Sequence, residues 1–303
     1  MHSFAYKVKN ELCRTHIQRL CCARAEAYGA LLYCNTFNTR EIRIITENPD
    51  FALRLPRLFR RAFDLRFDRQ PEEQVSTGKL VFQITDREKL EKIFHQLGYD
   101  LRQSLVVHVN FGILEEECCR TAFLRGAFLA GGSVTDPEKR YHLELTTSHT
   151  QASREMSTLL TELGFMPRSV MRGGNSVIYF KQCEHIEDLM TTIGAPAAAV
   201  EMMTTKLEKE LVNNANRAMN CDMANVNKTL DAAMEQCEAI EILQDAGRLE
   251  FLPKQIKETA LLRLQYPELS LVQLAERCDP PVTKSCINHR MRKIMETARD
   301  LDE

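Results

Sequence analysis

The sequence predicts an α+β fold in which a duplicated unit of helices and antiparallel strands precedes an all-helical C-terminal domain. Three observations predict it: a repeat with an offset of 97 residues, alternating apolar segments in both copies, and strong helix formers after about residue 200. We expect the two halves of the duplicated domain at 1–100 and 101–200. An Asn-rich helical linker should follow at 201–250, and the C-terminal domain at 251–303.

The composition indicates a globular protein of a reducing compartment. Of 303 residues, 44% are hydrophobic and 27% are charged, and the net charge of −2 gives no general attraction to nucleic acid. The N-terminus lacks an apolar signal region, and no window approaches the ~18 apolar residues of a membrane span, so we expect a cytoplasmic protein without membrane contact. The eleven cysteines are predicted to be reduced thiols. Since no CxxC pair occurs, we expect neither a metal nor another cofactor.

Each copy of the repeat begins with a pair of adjacent cysteines. CCARAEAYGALLYCNTF begins at Cys21, and CCRTAFLRGAFLAGGSV begins at Cys118. At this offset Gly29 aligns with Gly126. Because glycine has no side chain, the alignment predicts two helices that cross closely at these residues.

The segments after each paired-cysteine helix repeat in the same order. Alternating apolar residues predict strands at 41–47, 79–85, 141–148 and 176–182. Helices are predicted at 51–63 and 151–163, with short helices that end at Gly98 and Gly194. With a weakly indicated strand before Gly78 and another before Gly173, each half is predicted to be αββαββα.

The C-terminal region divides into three helical pieces. Lys254–Gln265 is the first, and Ser270 with Gln273 gives the spacing of a capping box for the second, which should reach about Cys278. Pro280 and Pro281 then break the chain, and Thr283 is positioned to cap the third helix. This pattern predicts a helix-turn-helix whose third piece is the recognition helix.

The third helix has one apolar face and otherwise basic or polar faces. From 282 to 299 there are five Lys and Arg residues against one acid. By residue type, the predicted DNA base contacts are Ser285, Asn288, His289 and Arg292. The predicted DNA phosphate contacts are Lys284, Arg290 and Lys293. The alternative is a solvated charged face on a packing helix.

Both crossing helices resemble the two LAGLIDADG helices of homing endonucleases, where the last acid of each motif holds the metals for DNA cleavage. The motifs align over Ala27–Asn35 and Leu124–Gly132, which puts Cys34 and Gly131 at the two acid positions. A glycine offers no ligand, and a thiol is too soft for Mg²⁺. We therefore predict no catalytic residue and no enzymatic activity.

Two further polar segments lie outside these motifs. Arg54, Arg57, Arg60 and Arg61 form a basic run on a predicted helix, which we interpret as a solvated face. The Asn-rich segment is too polar for one buried face, and an interdomain polar network is preferred there over phosphate contact.

Taken together, the degenerate LAGLIDADG-like domain and the C-terminal helix-turn-helix resemble the WhiA family of sporulation and cell-division regulators. The resemblance is carried by Arg125–Leu145, Asn216–Ala233 and Pro280–Ile294. It implies a non-enzymatic, nucleoid-associated protein that binds double-stranded DNA through the helix-turn-helix. It also implies a role in transcription regulation, chromosome segregation or cell division.

Two other functions remain open. A residual metal-dependent nuclease would need other acids, such as Asp136, Glu138 or Glu144. An interaction hub would use the LAGLIDADG-like domain to bind a protein or a small ligand and thereby control the C-terminal domain.

Overall fold

A computed structural model describes residues 3–17, 19–71, 78–100 and 106–302. The chain divides into two compact units, Met1–Lys209 and Glu210–Glu303. In the part of the chain that is described, no helix is both long and apolar enough to cross a membrane.

In its described residues, the first half of the N-terminal unit contains four helices around a small antiparallel sheet. Its elements are α1 (Phe4–Cys13), α2 (Leu20–Leu32), β1 (Thr36–Phe37), β2 (Ile42–Thr46), α3 (Pro49–Phe63), β3 (Leu80–Ile84) and α4 (Arg87–Gln96). The strands pair in the order β1-β2-β3. Residues of β2 alternate between buried and more exposed positions, as the sequence pattern predicts for a sheet with one covered face.

The second half repeats this order of elements and has a four-stranded sheet. Its elements are α5 (Glu117–Gly131), β4 (Gly132–Val134), β5 (Leu143–Thr147), α6 (Thr150–Glu162), β6 (Arg168–Arg172), β7 (Asn175–Phe180) and α7 (Cys183–Ile193). The antiparallel strands lie in the order β4-β5-β7-β6. The predicted αββαββα order is confirmed here, and Gly194 ends α7 in the left-handed conformation with φ of 104°.

The first half differs from the prediction in one helix, and one predicted strand lies largely outside the described residues. The strand expected before Gly78 falls mainly on residues 72–77, which the structure does not describe. Before this gap, Arg69 forms a bridge with Gln83, and the Asp68 carboxylate accepts the backbone N–H groups of Thr85 and Asp86. The helix α1 was not predicted, although its buried Phe4, Val8 and Leu12 recur every four residues.

The core of the N-terminal unit is built on the pair α2 and α5. All residues from Ala25 to Leu32 are buried, so this part of α2 has no exposed face, and its mostly apolar composition fits a position in the centre. The same holds for Ala122–Leu129 in α5. The remaining helices and the inner faces of the two sheets pack around these two helices.

The C-terminal unit is entirely helical. The long helix α8 (Pro196–Asp245) leads into α9 (Lys254–Gln265), α10 (Leu271–Glu276) and α11 (Lys284–Asp302). The predicted capping box is present, because Gln273 N donates to Ser270 Oγ at 3.4 Å and Ser270 N donates to Gln273 Oε1 at 2.9 Å. Apolar residues from all four helices form its core, including Ile240, Leu243, Ala260, Ala275, Ile287 and Ile294.

Candidate functional site

The two central helices cross at the predicted glycines. A Cβ atom built on Gly29 would lie 2.0 Å from the carbonyl oxygen of Phe123, and one on Gly126 would lie 1.9 Å from that of Glu26. Each glycine thus packs directly on the backbone of the partner helix. No other residue fits either position without moving a helix.

The two positions that correspond to catalytic acids lie at the C-terminal ends of these helices. Cys34 is buried there, and its Sγ donates to the carbonyls of Leu31 and Thr36 at 3.1 and 3.2 Å. Burial raises the pKa of the Cys34 thiol to about 12, so the group stays protonated at neutral pH. A protonated thiol that already donates to the backbone is a poor ligand for Mg²⁺.

Gly131 occupies the second of these positions, where the surrounding backbone leaves no room for a side chain. A Cβ atom at Gly131 would lie 2.5 Å from the carbonyl oxygen of Thr146 and 2.8 Å from that of Tyr33. A carboxylate therefore cannot be accommodated without displacing β5 or the end of α2. The adjoining cavity of about 250 Å³ has no carboxylate among the described residues that line it.

The alternative acids of the nuclease hypothesis lie elsewhere and have other partners. Asp136 Oδ1 accepts the backbone N–H of Glu138 at 2.9 Å and shapes a turn. Glu144 Oε2 lies 3.3 Å from His142 Nε2 and 3.2 Å from Arg172 Nη1. None of these acids lines the cavity at the helix ends.

One residue of the basic run has a role that the sequence prediction missed. Arg54 is 5% exposed and forms a two-point ion pair with Glu26, with Nε–Oε1 at 2.6 Å and Nη2–Oε2 at 2.8 Å. Arg125 adds a second cation at 3.2 Å from Glu26 Oε2. The interpretation as a solvated face is wrong for Arg54, because a buried carboxylate on another helix pairs with it, whereas Arg57, Arg60 and Arg61 are exposed.

The predicted recognition helix exposes most of its predicted DNA contacts. Its apolar stripe is buried in the core, and the other faces point to solvent. The exposed members are Lys284, Ser285, Asn288, His289, Arg292 and Lys293. Ile287, Met291, Ile294 and Ala298 form the buried stripe. The helix is amphipathic as expected, with its basic surface available to a ligand.

Arg290 differs from the other predicted phosphate contacts. It is half-buried against α9, where its Nη1 donates to Thr259 Oγ1 and its Nη2 donates to Gln255 Oε1, both at 3.2 Å. Its assignment to a phosphate stays a prediction, and only the N–H groups that these hydrogen bonds leave over could make such a contact from this position.

The Asn-rich segment lies within α8 and is exposed to solvent. The side chains concerned are Asn213, Asn214, Asn216, Arg217, Asn220, Asn225, Asn227 and Lys228. Their function stays a prediction.

The sequence prediction did not bring together four of the cysteines. All eleven cysteines are free thiols. Cys21, Cys22, Cys118 and Cys119 converge from two helices. Because each helix supplies two adjacent cysteines, no CxxC pair marks this cluster in the sequence. The available signal was the recurrence of a CC pair at the offset of the crossing glycines.

The chain resembles known proteins over its whole length. The family model described as the WhiA LAGLIDADG-like domain matches residues 120–212, and the WhiA C-terminal HTH domain matches residues 215–298. The helix-turn-helix and the LAGLIDADG-like fold predicted from the sequence are thereby confirmed.

Relatives and a solved structure agree with these domain matches. The "Probable cell division protein WhiA" of Ruminiclostridium cellulolyticum is 34% identical over 306 residues, which cover 98% of this chain and 97% of that protein. The protein of the same name from Clostridium perfringens is 35% identical, covering 99% of this chain and 98% of that protein. The crystal structure of full-length WhiA from Thermatoga maritima matches with a TM-score of 0.60 and 21% identity, covering 99% of both chains. The chain belongs to the WhiA family.

Proposed function

We propose that this chain is a DNA-binding regulator that acts without catalysis and binds double-stranded DNA through α11. One observation carries the proposal: α11 buries its apolar stripe in the core while it exposes lysine, arginine, asparagine and histidine side chains. A helix of this kind at the third position of a helix-turn-helix fits the major groove. The net charge of −2 means that phosphate attraction must come from this local surface.

The exposed side chains of α11 suit two kinds of contact. Asn288 and Arg292 lie one turn apart, and their side chains suit adenine and guanine edges respectively. Ser285 and His289 extend the same base-reading surface toward the start of the helix. Lys284 and Lys293 are suited to phosphates, where a flexible ammonium group needs no fixed geometry. Arg290 would use the N–H groups that its hydrogen bonds to Gln255 and Thr259 leave over.

The names of the relatives support a proposal for the cellular role. Two relatives are named as probable cell division proteins, and we propose that this chain acts in cell division, chromosome segregation or sporulation-linked transcription. Such a protein would be cytoplasmic and associated with the nucleoid. None of the described residues that line the cavity beside Cys34 and Gly131 carries a carboxylate, which supports a non-enzymatic role, because two-metal cleavage needs carboxylates to hold the ions.

The first experiment is a gel-shift assay of the full chain on supercoiled plasmid with Mg²⁺, with matched lanes deproteinised before electrophoresis. We expect a shift that disappears on deproteinisation and leaves the plasmid supercoiled. Nicked plasmid that depends on Asp136 or Glu144 would contradict the non-enzymatic proposal. The absence of any shift would contradict DNA binding itself.

The second experiment assigns binding to α11. We expect Lys293→Ala to weaken binding to all DNA sequences. The slope of log K for DNA binding against log salt concentration should become shallower by about 1. Arg292→Ala should cost about 1–3 kcal/mol at a preferred site and relax its specificity. Arg299→Ala is the control, since Arg299 is an exposed arginine near the far end of the same helix. Equal effects of all three variants would contradict the assignment to the first turns of α11.

A second function is favoured by a basic cavity in the N-terminal unit. Its volume is about 760 Å³, and the residues that line it include Arg14, His16, Arg57 and Arg61. Such a cavity suits a small anionic ligand, which would make this unit a sensor for the regulator. Pyrophosphate should raise the melting temperature of the full chain, and Arg57→Ala should reduce this effect. An unchanged melting temperature at millimolar pyrophosphate would contradict phosphate-type ligands.

A further inference from the structure

Four cysteine sulfurs meet where α2 and α5 begin. Cys21 and Cys22 lie in the first turn of α2, and Cys118 and Cys119 lie in the first turn of α5. Their Sγ atoms all lie within 4.8 Å of one another. Within one pair, the Sγ atoms of Cys21 and Cys22 are 4.0 Å apart.

The duplication explains why these side chains converge. Each pair occupies the second and third positions of its helix, and the two helices are related by the same offset that aligns Gly29 with Gly126. Once the glycines fix the crossing, the symmetric first turns of the two helices are also fixed relative to each other. The cysteine cluster is thus produced by the same packing that forms the core.

Positive groups lie beside the cluster. Neither N-cap residue, Arg19 of α2 or Glu116 of α5, makes a side-chain capping hydrogen bond. The positive ends of two helix dipoles therefore lie beside the sulfurs and act against the burial that raises the pKa of Cys22 to about 12 and that of Cys119 as well. Arg19 Nη1 also lies 3.8 Å from Cys118 Sγ and adds a full positive charge.

We propose that Cys21, Cys22, Cys118 and Cys119 bind one Zn²⁺ ion as a tetrahedral tetrathiolate site. Bonds of about 2.3 Å in a tetrahedron set the sulfur separations at about 3.8 Å. Sulfurs that already lie within 4.8 Å of one another reach this geometry by changes of about 1 Å. Binding replaces up to four thiol protons with one divalent cation, and Arg19 offsets one of the two negative charges that remain on the site.

The ligand set indicates a structural ion. Four thiolates fill the coordination of zinc and leave no open position for water, as in structural zinc sites. A single ion fits the close spacing of the sulfurs, whereas a polynuclear iron–sulfur cluster places its cysteines around a larger core. Zinc would join the two halves of the duplicated domain at the N-terminal ends of α2 and α5.

The proposal is tested on the full chain after reduction and removal of metal with a chelator. Zn²⁺ is titrated in competition with a chromophoric chelator, and Co²⁺ is added to a second sample. We expect one ion per chain, together with the thiolate charge-transfer and tetrahedral d–d bands of cobalt. Zn²⁺ should also raise the melting temperature of the protein.

Serine variants separate the four ligands from the other cysteines. Cys21→Ser is suitable because Cys21 is exposed, and it should weaken Zn²⁺ binding by more than about 100-fold while the circular dichroism stays unchanged. Cys118→Ser should have the same effect. Cys221→Ser is the control, since Cys221 is exposed on α8, outside the cluster.

Four results would overturn the proposal, the first three of which concern the wild type and the control. These are no stoichiometric Zn²⁺ binding by the reduced chain, equal loss of binding in Cys221→Ser, or a mass that shows a disulfide within the cluster under reducing conditions. A folded Cys21→Ser variant that keeps full affinity and the cobalt spectrum would also overturn it. None of these readouts depends on DNA binding.

Discussion

The carboxylate of Glu26 and the guanidinium of Arg54 form a buried two-point ion pair that joins α2 to α3, with contacts of 2.6 and 2.8 Å. Arg54 Nη1 also donates to the carbonyl of Cys13 at 3.0 Å, which ties the end of α1 to the same group. Arg125 on α5 donates through Nε to the carbonyl of Ile193 at 2.7 Å. The acid on α2 therefore binds α3 and α5 directly, and its two arginines extend the network to α1 and α7.

We expect Glu26→Gln to lower the free energy of unfolding by about 3–5 kcal/mol, because two buried guanidinium groups lose their counter-charge. Urea denaturation followed by circular dichroism measures the change. Glu91→Gln is the matched control, since Glu91 pairs with Arg87 on an exposed helix surface. That control should change stability by less than about 0.5 kcal/mol. Similar values for both variants would show that the buried network contributes little.

The helix crossing gives a second prediction. Gly126→Ala should destabilise the protein by about 3 kcal/mol or more, because the added Cβ would overlap the carbonyl oxygen of Glu26. Gly112→Ala is the control, since a Cβ there meets only the Asn110 side chain at 3.2 Å. Thermal unfolding compares the two variants. If Gly126→Ala melts at the temperature of the wild type, the helices do not cross as closely as described.

Lys9 predicts a pH dependence of stability. Desolvation lowers the pKa of Lys9 from 10.5 to about 8, and among the described residues it forms no ion pair. In the unfolded chain the amine keeps its ordinary pKa, so between about pH 8 and 10.5 the unfolded state binds more protons. Lys9 therefore disfavours folding below about pH 8, and this cost disappears as the pH rises through that interval.

We expect Lys9→Met to raise the free energy of unfolding at pH 7 by up to about 3 kcal/mol. The gain should fall to less than about 0.5 kcal/mol at pH 10.5, because the amine is then uncharged in the folded state and only half protonated in the unfolded state. Urea titrations of the wild type and the variant at pH 7 and pH 10.5 give the difference directly. A gain that is the same at both pH values would mean that packing, rather than charge, is responsible.

Local patterns in the sequence were sufficient for much of the fold. The alternation in β2 and β5, the capping box at Ser270 and the glycine end of α7 each depend on residues within one turn or one strand. The close crossing at Gly29 and Gly126 was also predictable, because the repeat aligns the two glycines. We could predict these features without knowing which residues, distant in the sequence, contact them in the fold.

What could not be predicted depends on contacts between distant segments. Arg54 looks like part of a solvated basic run until Glu26, which lies on another helix, is placed beside it. The four cysteines have no local spacing typical of a zinc site, because each helix supplies only two adjacent residues. Arg290 likewise has the composition of a phosphate contact, yet Gln255 and Thr259 hold it against α9. Side-chain partners of this kind follow from tertiary packing.

The missing acids give the last prediction. Restoring carboxylates by Cys34→Asp and Gly131→Asp should not produce a nuclease. At Gly131 the new Cβ would lie 2.5 Å from the carbonyl oxygen of Thr146, so β5 or α5 must move before the side chain fits. At Cys34 a carboxylate would face the carbonyls of Leu31 and Thr36, which now accept from the thiol and would repel a negative charge.

We expect the double variant to be destabilised and to leave supercoiled plasmid intact with Mg²⁺ or Mn²⁺. Cys34→Ser is the control, because a hydroxyl can still donate to the same carbonyls, and it should fold like the wild type. Plasmid nicking by a stably folded double variant would show that the metal geometry has survived and that only the acids were lost. The expected result instead means that the helix ends have repacked around Gly131. A return to cleavage would then require changes in the β5 backbone as well as in the two side chains.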